Sequence, residues 1–400
     1  MTADLTVAAP DTSEAPGPAD GRPVPRFDVG LPGYAHRLGS PLIAHTLDAE
    51  VTGATSIWFT DHLRARTSPD AWRHHGGARA VSVPDPHALA DPFVAATAAL
   101  LVSRRATVGV RGIDLRRRSP SDLARAAVTL AHLAPGRFVL GLGARGLVDG
   151  LGPIGDGDAW TPPTAALQDT LGAISCALAH ERPSPADRPG VRFADAPRAF
   201  LHAGLEVVVE GSTVAAAALA GRHGAGWLPS SVGLGVGAYA QGVQAAEQAA
   251  AAARHDWSRM VPGLVVEAVI HEDEAVVASA LASRLVGIHL AIGAAEGGTA
   301  AAGPEVQRLV SGWVGGEVPD EQLDLVWPAL LDAAAVPVSF HGPPEHVASL
   351  LRDYVRAGAR RVVIDNLLPL GRPEEEHTGQ RATAATLRLA KRMLRGLPIG

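Results

Sequence analysis

The stretch Ser56-Ile-Trp-Phe-Thr-Asp-His-Leu63 decides how the chain is read. Ser56 to Thr60 form a short apolar run that suits a buried strand. The run breaks off in Asp61 and His62. In a parallel α/β barrel the carboxyl end of a strand is where the active site lies. An imidazole titrates near neutrality, and a neighbouring carboxylate can orient or charge it. Asp and His are also common turn residues, so the dipeptide alone fits a solvated strand end just as well.

Outward from this strand, apolar runs alternate with helical segments. The runs are Phe27–Leu31, Ser56–Thr60, Ala106–Val110, Arg137–Leu142, Leu205–Val209, Gly226–Leu228, Gly263–Ile270 and Arg361–Asp365. Helices are expected from Ser40 to about Thr52, from Asp91 as cap to Val102, and up to Leu133. Others are expected over Pro163–His180, Ala238–Arg254, Pro344–Ala357 and Gln380–Leu397, with one opening after Thr213 and a long one running to Ile292. This alternation predicts a parallel sheet, and eight strands suggest a (β/α)8 barrel. The polar and glycine-rich features then gather on one rim: Asp61–His62, Arg111–Gly112, Gly143–Gly146, Glu210–Thr213 and Ser230–Ser231. Five such features on one face favour a functional role for His62.

The connections carry further signals. Leu63–His87 reads as a loop of roughly 25 residues, a length typical of lids and binding loops. His62, His74, His75 and His87 match no standard zinc spacing, and no metal is expected. Arg116, Arg117 and Arg118 suit a solvated or ion-paired loop. Gly141, Gly143 and Gly146 allow close backbone approach but lack a dinucleotide fingerprint. Ser212 and Thr213 open a helix, either as an ordinary N-cap or as a phosphate site beside the dipole's positive end. Residues 293–340 look like an insertion.

Composition bounds the rest. With 400 residues, 47% of them hydrophobic and 19% charged, a large core can be buried. The net charge of −6 argues against a general nucleic-acid surface. The single cysteine, Cys176, cannot form an internal disulfide and fits a reducing cytoplasm. No window approaches ~18 uninterrupted apolar residues, so no membrane span is expected. Residues 1–26 lack the basic start and apolar core of a secretion signal. Their Pro/Ala-rich composition predicts a disordered tail, leaving 27–400 as a single domain.

Several blocks carry a family likeness. Asp91-Pro-Phe93, the Arg118–Leu130 segment, Pro135-Gly-Arg-Phe-Val-Leu-Gly-Leu-Gly143 and Leu219-Ala-Gly-Arg-His-Gly-Ala-Gly-Trp-Leu-Pro229 resemble the bacterial luciferase-like barrel superfamily. Phe340-His-Gly-Pro-Pro-Glu345 and Ala357-Gly-Ala-Arg-Arg-Val-Val-Ile364 continue the match. The pattern looks most like the branch that uses the deazaflavin coenzyme F420. The resemblance implies a luciferase-like TIM barrel with insertions. It also implies a homodimer and an F420-dependent oxidoreductase moving a hydride to or from a small organic substrate.

It further implies roles for matching positions. Asp61 and His62 would be catalytic, with His62 acting on the substrate oxygen. A strand-three bulge at Arg111 and Gly112, often holding a non-proline cis peptide, would support the deazaflavin ring. Ala144 and Arg145 would line the turn after strand four. Ser212, Thr213 and Ser230 would face the cofactor phosphate. Three departures stand out: Gly146 replaces the acid proposed as proton donor, Arg66 an aromatic of the sugar-phosphate dehydrogenases, and Gly233 their phosphate-binding lysine. Sugar-phosphate oxidation is therefore not expected. The nearest stand-ins for the acid are Glu210, Asp114 and His36. An FMN-dependent monooxygenase of the same fold stays open, as does a barrel that binds a ligand without turnover.

Overall fold

The computed structural model describes residues 26–30, 40–61, 65–115, 118–143, 167–172, 174, 205–296, 313, 319 and 340–395. Within these, nine strands form one sheet: β1 (Arg26–Gly30), β2 (Ser56–Thr60), β3 (Thr107–Asp114), β4 (Phe138–Gly143), β5 (Glu206–Glu210), β6 (Gly226–Leu228), β7 (Gly263–Ile270), β8 (Phe340–Gly342) and β9 (Arg361–Asn366). Their order is β6-β5-β4-β3-β2-β1-β9-β7-β8, and every ladder is parallel. A parallel bridge between Ser230 and Val265 joins β6 to β7. That bridge closes β1 to β7 and β9 into an eight-stranded barrel. The short β8 pairs with the last three residues of β7.

Strand alternation sorts the side chains into two sets. Trp58, Val139, Val208, Leu228, Val265 and Val363 come from six different strands and form one buried cluster, the packed lumen. Their neighbours, such as Ile57, Leu140, Val209, Val266 and Ile364, belong to the larger core between barrel and helices. Gly109 on β3 makes room for the widest lumen residue, since a Cβ there would lie 2.3 Å from the Trp58 indole.

Below this layer, Arg361 is fully buried and reaches across the lumen to Glu206 at 2.7 and 3.0 Å. Its guanidinium also lies 5.3 Å from the Trp58 ring centroid. This charged floor sits at the amino-terminal end, the stability face of such barrels.

Several local expectations need correction. The segment expected as a continuous loop from Leu63 to His87 contains two short helices, Pro69–His75 and Gly77–Ser82. Ser68 caps the first by accepting from Ala71 N, and fully buried Trp72 pins it, its indole donating to the Val83 carbonyl at 2.7 Å. Turn-forming residues masked this, because burial of one indole outweighs local propensity. Strand β3 does not end at Val110 but continues through Arg111 and Gly112 to Asp114. The helical stretch to Ile292 is two helices, Glu274–Leu281 and Arg284–Glu296. Among the described residues, no helix is long and apolar enough to cross a membrane. The expected tail, except Arg26, and most of the 293–340 insertion lie outside the described residues.

Candidate active site at the barrel mouth

One lumen layer above the Val–Trp cluster, alternation brings Thr60, Arg111, Gly141, Glu210, Ser230, Glu267 and Asp365 to the carboxyl-terminal mouth. Four of these are charged, and Arg111, Glu210 and Glu267 are almost fully buried. A charge is rarely buried without a partner, so each contact identifies what holds it.

Arg111 spans the lumen to Asp365, 3.3 Å away on β9. The ladder between β3 and β4 shifts register between Val110 and Ile113, so the expected bulge is present. Gly112 takes φ +65°, a left-handed value that a side chain disfavours. No cis peptide bond occurs among the described residues. Gly112 N–H donates to Glu210 Oε1 at 2.5 Å, from β5 across the intervening β4. Gly141 on β4 makes that reach possible, because a Cβ there would come within 2.9 Å of the same oxygen. Glu210, one of the proposed stand-in acids, is therefore committed to holding the bulge.

Asp61 follows lumen-facing Thr60 and turns away toward the helices. Its carboxylate is buried and takes two hydrogen bonds from Arg118, Nε to Oδ2 at 3.0 Å and Nη2 to Oδ1 at 3.3 Å. Arg118 also donates to Asp91 at 2.7 Å and lies 4.8 Å from the Phe93 ring centroid. Asp91 caps the Pro92–Val102 helix through Phe93 N and Val94 N. Burial pushes the Asp91 carboxyl up, but the Arg118 hydrogen bond and the two backbone donors outweigh it and hold the group below its ordinary range. Burial likewise works against the Arg118 charge, and the two carboxylates more than restore it. Asp61 thus ties the end of β2 to the next two helical units. Of the Arg116–Arg118 run, the ion-paired alternative holds for Arg118.

Ser212 donates to the Ser230 carbonyl at 3.2 Å, which links the loops after β5 and β6. Thr213 is the N-cap of the Val214–Arg222 helix, its hydroxyl accepting from Ala216 N. The Ser230 hydroxyl accepts from Val232 N at 3.1 Å and lies 3.5 Å from Glu267 Oε1. His87 is used structurally, its Nδ1 accepting from Ala65 N at 3.1 Å. His62, Ala144, Arg145, Gly146 and His36 lie outside the described residues, as does the Asp114 side chain.

The mouth also holds a cluster that motif reading passed over. Arg66 lies 3.2 Å from His289 Nε2, and both approach Glu267, at 3.9 and 3.8 Å. All three are at least nine-tenths buried. A signal was available: Glu267 is a carboxylate inside the otherwise apolar strand Gly-Leu-Val-Val-Glu-Ala-Val-Ile, and Asp365 directly follows the apolar run Val-Val-Ile of β9. A charge in a buried strand marks either a structural pair or a site.

A closed parallel barrel with a packed lumen and a charged mouth is the architecture of a (β/α)8 enzyme. The chain belongs to the luciferase-like monooxygenase family, whose model matches residues 38–361. A phthiodiolone/phenolphthiodiolone dimycocerosates ketoreductase from Mycobacterium kansasii is 29% identical over 382 residues, covering 92% of this chain and 98% of the relative. An F420-dependent glucose-6-phosphate dehydrogenase from Beutenbergia cavernae is 28% identical over 334 residues, covering 78% and 90%. Among solved structures, an F420-dependent secondary alcohol dehydrogenase in complex with an F420-acetone adduct shares the fold, with a TM-score of 0.60 at 14% identity over 91% of this chain and 99% of that one. These proteins are oxidoreductases, as the family assignment implies for this chain.

Proposed function

We propose that the protein is an F420-dependent oxidoreductase that moves a hydride between the deazaflavin and the carbonyl or alcohol carbon of a small organic substrate. The observation that carries this reading is the buttressed bulge at Arg111–Gly112. Backbone there is fixed in a left-handed turn by a buried carboxylate, and Arg111 is fixed by Asp365. A rigid backbone turn at a glycine in a barrel mouth suits a planar ring system. The start of the Val214–Arg222 helix, with Ser212 and Thr213 before it, suits an anionic tail. These residues fit the cofactor, with Ala144, Arg145 and Ser230 as further contacts carried over from the family pattern. F420, when bound, supplies the hydride. The chain's task is to hold the ring, exclude water and handle the proton. His62 would act on the substrate oxygen, and the Asp61–Arg118 anchor would fix the strand end that carries it. The ketoreductase relative, which covers 92% of this chain, supports carbonyl chemistry, and Gly233 in place of a lysine speaks against the sugar phosphate of the other relative.

We further read the protein as a cytoplasmic homodimer. Ile43, Leu47 and Val51 repeat every four residues on one helix and are exposed, an apolar stripe that a second copy can cover. The second functional reading is an FMN-dependent monooxygenase, favoured by the description of the family itself. Titration of the purified protein with F420 and with FMN, followed by fluorescence quenching, separates the two. Tighter F420 binding is expected. Tighter FMN binding, with oxygen consumed when a flavin reductase is present, would select the monooxygenase.

A further inference from the structure

We propose that Glu267 is the proton-transfer group of this barrel, with Arg66 and His289 as the residues that position it. The proposal rests on the hydride-transfer reading above and names the acid that Gly146 does not provide.

Among the described residues, three carboxylates face the mouth, and two are committed. Glu210 accepts from Gly112 N at 2.5 Å, and Asp365 pairs with Arg111 at 3.3 Å. Glu267 differs. It is 3% exposed, yet no described group donates a hydrogen bond to its Oε2. A buried acceptor without a donor is costly and is kept where it serves a purpose.

The neighbouring residues explain why Oε2 is left unfilled. A guanidinium can only donate. When Arg66 Nη1 donates across the 3.2 Å to His289 Nε2, Nε2 is the acceptor and the ring proton belongs on Nδ1. Nε2 faces Glu267 Oε2 at 3.8 Å but has no hydrogen to give it. Arg66 itself stands 3.9 Å from Oε1, beyond hydrogen-bond range, so it sets the local charge without occupying the oxygen. Gly293 preserves the space on the other side, since a Cβ there would lie 3.3 Å from both Oε2 and Arg66 Nη1. Ser231 holds the strand in place, its hydroxyl accepting from Glu267 N at 3.3 Å.

In carbonyl reduction the hydride adds to the carbonyl carbon and the C=O π pair moves to oxygen. That oxygen takes the proton from the Glu267 carboxylic acid, and water reprotonates the carboxylate. In alcohol oxidation the same carboxylate accepts the hydroxyl proton. Arg66 and His289 bring the loop after β2 and the Arg284–Glu296 helix to bear on Glu267.

The test uses the full-length protein under argon. F420 binding is measured first, by fluorescence. Reduced F420 and a series of methyl ketones from acetone to 2-octanone are then followed by the return of oxidised F420 absorbance. Glu267→Gln should lower kcat by on the order of 10²–10⁴. F420 affinity and ketone KM should stay within about threefold, the signature of a transition-state role. Its pH–rate profile should lose a limb, and Glu267→Asp should restore part of the rate. Gln cannot form the carboxylate that balances Arg66 once the proton has left, so Glu267→Gln/Arg66→Met removes that imbalance and should show the same loss. Near wild-type kcat in Glu267→Gln or in the double variant would overturn the proposal, as would an unchanged pH profile. A wild-type protein that binds F420 but reduces no ketone of the series would also overturn it, leaving the cofactor reading intact. Failure to bind F420 would instead defeat the proposed function.

Discussion

Replacing Arg118 by Met should destabilise the protein by about 3 kcal/mol, the lower end of what breaking a buried ion pair costs. The figure follows from the exposures of the two partners. The Asp61 side chain is 2% exposed and cannot be rescued by water, whereas Arg118 is 24% exposed and is already partly solvated. Two hydrogen bonds at 3.0 and 3.3 Å vanish, and the buried carboxylate loses this guanidinium. The contact with the Phe93 ring is lost as a cation–π pair, but a thioether packs on an aromatic about as well, so this part nearly cancels. Urea unfolding is the assay, with the midpoint falling at unchanged slope. Asp61→Asn/Arg118→Met removes both charges and should recover much of the loss, giving a coupling energy of about 1.5–3 kcal/mol. Acid provides a second check. In the wild type the Asp91 carboxyl lies below its ordinary value of 3.8, so its contribution is present above that pH and is lost as pH falls through the lower folded value. The stability gap between wild type and Arg118→Met should therefore narrow on acidification. A single-variant loss under about 1 kcal/mol, or a coupling within about 0.5 kcal/mol of zero, would refute the buried-pair argument.

Other expectations follow from the same geometry. Gly109→Ala presses a methyl to 2.3 Å from Trp58 and should cost about 1–3 kcal/mol or more by overpacking; adding Trp58→Leu should relieve it, so additive losses in unfolding midpoints would speak against this lumen packing. Burial raises the Glu50 carboxyl, but hydrogen bonds from Arg105 N, Ala106 N, the Ser103 hydroxyl and Arg104 N outweigh it and hold the group below its ordinary 4.5. Its stabilising effect is present above that pH and lost below the depressed folded value, so Glu50→Gln should lower stability at neutrality and flatten the acid limb of an unfolding-versus-pH series. His62→Ala should cut kcat by on the order of 10²–10⁴ with F420 affinity little changed; turnover at the wild-type rate would move the oxygen-handling role elsewhere. Ile43→Glu/Leu47→Glu should shift sedimentation from dimer to monomer if the exposed stripe is the subunit contact.

Much of the architecture is legible in the chain itself. Eight apolar runs alternating with helices are a local signal, and the run Gly263–Ile270 matches β7 residue for residue. The Asp91 and Thr213 caps are also readable, because caps are written in short spans, whereas the bulge near Arg111–Gly112 comes from the family resemblance. What local pattern could not give is which charges meet. Arg111 and Asp365 are 254 positions apart, and Arg66 and His289 are 223 apart. No periodicity carries such pairings; they exist only because barrel closure turns every second residue into one lumen and folds the loops over it. For the same reason Asp61, which the sequence presents beside His62, is bound to Arg118. Glu267, which looks like an isolated charge in an apolar strand, becomes a buried carboxylate with an acceptor oxygen left unfilled among the described groups. Hydrophobic period and turn chemistry write the barrel and its rim into the chain. Which rim groups are locked in ion pairs, and which keep an open acceptor, depends on burial and on contacts between distant strands, and so emerges only on folding.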